Sequence, residues 1–159
     1  MKYVFIVNPV AGNDNKAKIF SRIKSTFRLI DDEMIVEPTH AQGEAKLIGE
    51  KYATECGSDC VIVSCGGDGT VNYVVNRMKE KHLDLLLGII PAGTANDFAG
   101  ALGMEKNPVK AAAQLLGGTE ERVDCGRVND HYFVNIFSFG IFTTTSQRTP
   151  DKRKHQIGK

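Results

Sequence analysis

The residues best suited to chemistry form a glycine cluster, Gly66-Gly67-Asp68-Gly69-Thr70, between an apolar run and a helical pattern that starts at Val71. Glycine has no Cβ, so such a loop can bring its backbone N–H groups close to an anion, and the following helix adds the positive end of its dipole. The Asp68 carboxylate would repel a phosphate unless a metal ion lay between them, as in a Mg-nucleotide. The alternative is a strand-to-helix turn with an Asp or Thr cap. Three glycines within four positions exceed what a cap needs, so the sequence predicts a phosphate-binding loop.

The elements that must position this loop alternate between apolar strands and amphipathic helices. The third apolar run ends at the glycine cluster, and the fourth ends at a second loop, Pro91 to Ala99, that is rich in Gly, Asn, Asp and Thr. The alternation is typical of α/β proteins in which a parallel sheet carries helices on both faces. Ligands of such sheets bind beyond the carboxyl ends of the strands, so the loops after the first, third and fourth strands should converge on one cleft. The predicted strands are 3–7, 34–36, 60–65 and 85–90, and the predicted helices are 17–27, 45–53, 71–81 and 108–116.

The pattern changes after residue 120. Residues 121–128 and 132–137 flank a turn at Asn129-Asp130 and resemble an antiparallel hairpin. The tail of the chain carries a net charge of +4, which leaves −3 on the rest. A solvated helix or linker is favoured for this tail, and contact with an anionic lipid or nucleic acid surface is the alternative. We expect a three-layer α/β domain over residues 1–120, a hairpin that begins or leads to a second lobe over 121–147, and the basic tail over 148–159.

Composition limits the class of protein. The chain has 159 residues, of which 42% are hydrophobic and 25% are charged, as expected for one globular domain. No apolar run approaches the ~20 residues of a membrane span, and the first strand stops too early, at Asn8-Pro9, for a signal peptide, so we expect a cytoplasmic protein. The cysteines lack C-x-x-C spacing and the histidines are scattered, which favours reduced thiols over a zinc site or disulfides. The cysteines are Cys56, Cys60, Cys65 and Cys125.

Two common nucleotide motifs are missing from the sequence: there is no G-x-x-x-x-G-K-[ST], and Asn72 stands where the last glycine of G-x-G-x-x-G would fall. Other blocks, in their order and spacing, resemble the diacylglycerol kinase catalytic-domain family, which includes bacterial lipid kinases and sphingosine kinases. Gly-Gly-Asp-Gly-Thr alone is shared with NAD kinases and 6-phosphofructokinases, and the resemblance implies a fold like theirs, followed by a β-hairpin. The matching blocks are Asn8 to Gly12, Gly66 to Asn72, Pro91 to Ala99, Asp124 to Gly126, Phe133 to Asn135, and Gly140.

The same resemblance implies a site for ATP and magnesium. In the family, the block that matches Gly66 to Asn72 surrounds the ATP phosphates. Thr39 and Thr94 match other nucleotide contacts, and the hydroxyl and N–H groups of Thr70 and Thr94 suit phosphate oxygens. The cofactor-binding residues that we expect are Asn8, Thr39, Gly66, Gly67, Asp68, Gly69, Thr70, Val71, Asn72, Gly93, Thr94, Asn96 and Asp97.

Several of these residues have a second interpretation. Asn8 could fasten neighbouring loops instead of reaching the nucleotide. Asp68 and Asp97 could hold magnesium through water, or could orient lysine and backbone partners, and Asp124 could join that network. A helix N-cap is a further alternative for Asp97. The metal role of Asp68 predicts that Asp68→Ala removes Mg-dependent ATP affinity and leaves the fold intact.

The chain also departs from the family pattern. A β-rich lobe follows this domain in the family and carries the acidic general base and much of the lipid site, and Ile141-Phe142-Thr143 stands where an acidic position is common. We therefore expect the nucleotide-binding half of an ATP-dependent lipid kinase, inactive alone, whose lipid binds through the absent lobe and whose general base is unassigned. The alternatives are a non-catalytic nucleotide-binding module and a NAD kinase, a family with a different acidic motif at Asn96 to Ala99. We expect no nucleic acid partner, and we expect peripheral membrane contact and self-association through open sheet edges.

Overall fold

The computed structural model describes residues 1–7, 16–28, 33–38, 51–52, 54–55 and 59–137. Residues 51–52 and 54–55 are helical. Among the residues described, no helix is long and apolar enough to cross a membrane. The strands are β1 (Lys2–Val7), β2 (Glu33–Pro38), β3 (Cys60–Gly66), β4 (Leu86–Pro91), β5 (Gly126–Val128) and β6 (His131–Phe133). The helices are α1 (Lys16–Arg28), α2 (Asp68–Glu80), α3 (Asp97–Ala101) and α4 (Pro108–Leu116).

Four of the strands form one parallel sheet in the order β2-β1-β3-β4. The chain moves from β1 to one side to make β2, and it moves from β3 to the other side to make β4. The direction of the crossovers therefore reverses between β1 and β3, and in open α/β sheets ligands bind at this switch point. β3 ends there with Cys65 beside Val7 of β1 and Gly66 beside Pro91 of β4.

The core lies on both faces of this sheet, because side chains alternate along each strand. On one face Tyr3 and Phe5 of β1 pack with Phe27 of α1, with ring centroids 4.8 Å and 5.3 Å apart, and α4 covers the same face. On the other face Val4, Ile6 and Ile62 pack with α2 and with Tyr52. The predicted three-layer arrangement of a parallel sheet between two helical layers is confirmed.

Most predicted elements agree with the structure to within a few residues, and the helix over 108–116 agrees at both ends. The hairpin is also present, but it is shorter than predicted. β5 and β6 pair over only three residues each. The prediction was wrong for residues 121–125 and 134–137, which lie outside the strands. Asn135 adopts a left-handed conformation with φ 72°, which interrupts the extended chain that β6 would need to continue.

Part of the predicted second helix, 45–53, lies outside the described residues. The part that is described includes Tyr52, which is buried and donates its hydroxyl to Glu37 Oε1 of β2 at 2.6 Å. This bond fastens the helical layer to the edge strand. Burial raises the pKa of the Tyr52 hydroxyl, so Tyr52 is held as a neutral donor to the Glu37 carboxylate.

Candidate functional site

The first turn of α2 begins at the switch point of the sheet. Gly67 is the N-cap residue, and its carbonyl accepts hydrogen bonds from Thr70 N at 2.9 Å and Val71 N at 3.1 Å. No side chain caps this helix. The N–H groups of Asp68 and Gly69 therefore have no partner within the helix, and the positive end of a 13-residue helix dipole points out of the sheet edge. This is a suitable arrangement for binding an anion.

Two glycines allow the glycine loop, Gly66 to Thr70, to contact the second loop, Pro91 to Ala99, backbone against backbone. A Cβ on Gly93 would lie 2.4 Å from Gly67 Cα and 2.9 Å from Gly67 N. The loops are also joined by a hydrogen bond from Ala92 N to Gly66 O at 2.9 Å. Gly67 and Gly93 are therefore required by the fold itself, since any side chain at Gly93 would push the loops apart.

Gly69 differs from these two glycines because the fold does not require it. It is exposed, and a Cβ built on it would meet no atom within 4 Å. Glycine inside a helix costs roughly 0.5–1 kcal/mol relative to alanine. A helical glycine that leaves open space beside two unpaired N–H groups is what close approach of a ligand to the backbone would require.

The Asp68 carboxylate links the two loops. Its Oδ1 accepts a hydrogen bond from Phe98 N at 3.0 Å, and its Oδ2 accepts one from Asp97 N at 3.2 Å. These are orphan N–H groups of the first turn of α3, so Asp68 caps that helix from a distant part of the chain. Of the roles predicted for Asp68, the structure contains the orientation of backbone partners, and the metal role stays a prediction.

The N-cap alternative for Asp97 was wrong, because the N-cap residue of α3 is Asn96 and Asp97 lies in the first turn. Asn96 has a left-handed backbone, with φ 55°, and its side chain bonds Gly93 twice, to the N–H at 2.9 Å and to the carbonyl at 3.0 Å. Asn96 thus shapes the second loop. The Asp97 side chain is exposed beside Asp68 and has no partner among the described residues.

Val71 and Asn72 are engaged inside the protein. Val71 is 2% exposed and packs with Val75 and Phe98. Asn72 Oδ1 accepts a hydrogen bond from Val134 N at 2.9 Å. The side chains of these two predicted nucleotide contacts are thus used for packing and for attachment of the segment after β6.

The structure brings together the predicted residues of both loops and leaves others elsewhere. Thr70 is half-buried against Gly66, and Thr94 is exposed on the second loop. Asp124 is exposed and has no hydrogen bond or ion pair to either loop within the part of the chain described. Asn8 and Thr39 lie outside the described residues, although the strands that precede them end side by side, with Val7 opposite Pro38.

Groups of three or more His, Cys, Asp or Glu residues that could hold a metal ion do not occur among the described residues. Cys65, the residue before Gly66, is buried, and burial raises the pKa of its thiol far above the ordinary value. This thiol therefore stays protonated and is neither a nucleophile nor a metal ligand. Carboxylates, backbone N–H groups and the hydroxyls of Thr70 and Thr94 are the functional groups that the site offers.

Two features of the helices were not predicted from the sequence. Asn76, one turn after Asn72 on α2, bonds both main-chain groups of Tyr132, and the four-residue spacing of the two asparagines was the available signal. α1 has five basic residues and no acidic residue. Lys18, Arg22 and Lys24 of α1 are exposed.

The protein is a three-layer α/β protein, and the glycine loop at the switch point of its sheet is a candidate anion site. The diacylglycerol kinase catalytic domain matches residues 2–128, and the chain belongs to that family.

The chain is 34% identical to a diacylglycerol kinase of Bacillus subtilis over 155 residues, which are 97% of this chain and 50% of the relative. It is 38% identical to a diacylglycerol kinase of Staphylococcus aureus strain JH9 over 153 residues, 96% of this chain and 48% of the relative. A crystal structure of a diacylglycerol kinase from Bacillus anthracis superposes with a TM-score of 0.75 at 30% identity, over 84% of this chain and 46% of that chain. The chain thus spans about half the length of the curated relatives it matches.

Proposed function

We propose that this chain is the phosphate-donor domain of a lipid kinase and that it binds Mg-ATP at the first turn of α2. The observation that carries the proposal is Gly69, an exposed helical glycine with open space around its Cα, next to the uncapped N–H groups of the helix. Family membership supports phosphoryl transfer to a lipid hydroxyl. The phosphates of the donor would accept hydrogen bonds from the N–H groups of Asp68 and Gly69.

The residues present fit a magnesium ion that is shared with the nucleotide. Magnesium is commonly bound by one or two carboxylates together with phosphate oxygens and waters, without a cage made only of protein ligands. Asp68 and Asp97 are neighbours at this site, and the Asp97 carboxylate has no partner among the described residues. These two residues would hold the ion, directly or through water, and the ion would neutralise charge on the transferring phosphate.

The reaction would join the hydroxyl oxygen of the lipid to the γ-phosphorus and break the bond between that phosphorus and the bridging oxygen of ADP. Positioning and charge neutralisation supply most of the catalysis in such reactions, and this chain contributes both through α2 and the second loop. The proton of the lipid hydroxyl must go to a base. We propose that this base lies in a β-rich lobe like the one expected from the family resemblance, and that the chain alone binds the donor and transfers little phosphate.

A membrane surface is the partner that we propose for α1. Its buried face, with Ile23 and Phe27, packs on the sheet, and its outer face presents Lys18, Arg22 and Lys24. A basic helix face is attracted to anionic lipid headgroups. A kinase that acts on a lipid must reach a bilayer, and this face would hold it there.

The test of donor binding is calorimetric titration of the chain with ATP and ADP, each with and without magnesium, for the wild type and for Gly69→Ala. Alanine favours the helical conformation more than glycine does, so the variant should unfold at the same or a slightly higher temperature. Its Cβ should nevertheless weaken Mg-ATP binding about tenfold or more, because it occupies the space through which the phosphates approach the N–H groups.

The matched control is Gly117→Ala, at another glycine with open space around it, at the C-cap of α4. It should bind Mg-ATP like the wild type. Equal affinity in Gly69→Ala and the wild type would refute the site. A kinase assay with diacylglycerol vesicles on the same samples separates donor binding from turnover, and robust turnover by the chain alone would overturn the claim that the base lies elsewhere.

A further inference from the structure

Three polar side chains follow one another at four-residue spacing along α2, and together they bind the main chain of two distant segments. Asp68 caps α3 through the N–H groups of Asp97 and Phe98. Asn72 accepts the N–H of Val134. Asn76 binds Tyr132. Residues at this spacing lie on one face of a helix, so a single face of α2 attaches both the second loop and the hairpin formed by β5 and β6.

The asparagine pair, Asn72 and Asn76, takes the place of a neighbouring strand. Asn76 Oδ1 accepts the N–H of Tyr132 at 2.7 Å, and Asn76 Nδ2 donates to the carbonyl of the same residue. Asn76 Nδ2 also donates to Asn72 O at 2.8 Å. The main-chain groups at Tyr132 and Val134 face the same way from the hairpin, as they would for pairing with another strand. Backbone groups that would otherwise be an open sheet edge are thus satisfied by side chains of the helix.

These bonds lie in a partly buried place. Val134 is 6% exposed and packs with Val71 and Val75 of α2, and Tyr132 of β6 and Cys125, the residue before β5, lie against the same cluster. An N–H group that loses its partner in such a place stays shielded from water and unpaired, so the loss is more costly than the loss of a bond at the surface. The hairpin therefore depends on the asparagine pair for its position on α2.

We propose that Asn72 and Asn76 are positioning residues that couple the hairpin to the donor site, so that binding of Mg-ATP at the first turn of α2 and ordering of the hairpin stabilise each other. The coupling rests on the proposed function. A ligand that fixes the first turn of α2 also fixes the helix face that bears the pair. Because coupling of two equilibria is reciprocal, loosening the hairpin must weaken donor binding by the same factor as donor binding tightens the hairpin.

The experiment is amide hydrogen exchange at Tyr132 and Val134, in the full chain, with and without saturating Mg-ATP. Without nucleotide, Asn76→Ala should speed exchange at Tyr132 about tenfold or more, because its N–H loses a partly buried partner. The control is Asp130→Ala, which removes an exposed contact of the hairpin with Arg127 but none with Tyr132 or α2. It should leave both rates near those of the wild type.

With nucleotide, exchange at Tyr132 and Val134 should slow in the wild type, and Asn72→Ala and Asn76→Ala should each bind Mg-ATP about threefold or more weakly. Asn72→Ala, with exchange read at Val134, replaces the Asn76 variant if that does not fold, because it removes the acceptor of the Val134 N–H. Unchanged exchange in a wild type that binds Mg-ATP would overturn the coupling. Failure of the wild type to bind Mg-ATP would remove the proposed function and the coupling together, and the nucleotide-free rates would still show whether the pair holds the hairpin.

Discussion

The glycines of the two loops are glycine for different physical reasons. Gly67 and Gly93 are needed because two backbones touch there, and a Cβ on Gly93 would overlap Gly67 Cα at 2.4 Å. Gly69 has no such neighbour. The sequence motif gives Gly67 and Gly69 the same rank, whereas the structure separates Gly67, where the two loops touch, from Gly69, which leaves the N-terminus of the helix open.

Asp68 is the residue for which the structure changes the expected result of a substitution. Asp68→Ala removes both acceptors from the first turn of α3, so it should lower the free energy of unfolding by about 0.5–2 kcal/mol, as loss of a helix cap does. Asp68→Asn keeps one of the two acceptor oxygens and places an NH2 donor against the other N–H, so it should recover only part of the stability that alanine loses. Both variants should lose the dependence of ATP affinity on magnesium. Urea denaturation and calorimetry measure the two effects separately.

Each outcome for Asp68 decides one role. An alanine variant as stable as the wild type would contradict the capping role. An asparagine variant with full Mg-dependent affinity would contradict the metal role. The expectation from sequence, that Asp68→Ala leaves the fold intact, ignored the capping bonds because they join residues 29 and 30 positions apart, a distance that no local pattern reveals.

At the scale of elements, α1 shows how one helix can serve two surfaces. Its spacing of apolar residues places Ile23 and Phe27 on the sheet, which the sequence predicts well because helical periodicity is a local property. The opposite face carries only basic charge among its ionisable residues. Lys18, Arg22 and Lys24 form no ion pair with any described residue, so their charge is available to a partner.

The proposed membrane contact of α1 predicts the effect of charge reversal. Lys18→Glu combined with Arg22→Glu should reduce binding to vesicles that contain phosphatidylglycerol by about tenfold or more, at about 1 kcal/mol per basic residue near an anionic surface. Binding of the wild type should also weaken as salt is raised. Vesicle cosedimentation measures both effects.

Lys79→Glu is the control for α1, because Lys79 is exposed on α2 in the other helical layer. It should bind vesicles like the wild type. The single variant Lys18→Glu gives the matched comparison. If Lys79→Glu lost as much vesicle binding as Lys18→Glu, total charge and not the α1 face would determine binding. Unaltered binding of the double variant would remove α1 from the membrane contact.

The hairpin shows which features of secondary structure could be predicted from the sequence and which could not. The turn at Asn129-Asp130 was identified correctly because Asn129 adopts φ 53° there, a conformation that asparagine tolerates. The strand ends were not, because alternation over 132–137 continues in the sequence while Asn135 breaks the extended chain. The candidate site has a similar limit. Its two loops could be predicted from local sequence motifs, but their contact through Gly93, Asn96 and Asp68 arises only in the tertiary structure.

For the whole molecule, a sheet buried on both faces places the Cys65 thiol in the core. Its pKa is raised in the folded state by burial, whereas an unfolded thiol has a pKa of about 8.5. The neutral thiol therefore contributes stability that is fully present below about pH 8.5 and is lost as pH rises toward the folded pKa. Above that pH the free energy of unfolding should fall by about 1.4 kcal/mol per pH unit from this group.

Urea denaturation from pH 7 to 10.5 tests the effect of Cys65. Cys65→Ala should be less stable at neutral pH, because it leaves a cavity, but its stability should decline less steeply with pH. Val61→Ala creates a cavity in the same core cluster without a titrating group, so it should keep the wild-type slope. Equal slopes for Cys65→Ala and the wild type would show that the thiol is not responsible.

The attachment of α2 to the hairpin has a consequence for how the molecule is made. Asn72 bonds Val134, 62 residues further along the chain, and Asp68 bonds Phe98, 30 residues further along. A nascent chain that has emerged only as far as the glycine loop can form neither contact. Because contacts of long sequence separation form late, α2 gains its final surroundings only after the hairpin has left the ribosome. The proposed donor site should therefore form in two stages during synthesis, first when the second loop packs against α2 and then when Val134 has emerged.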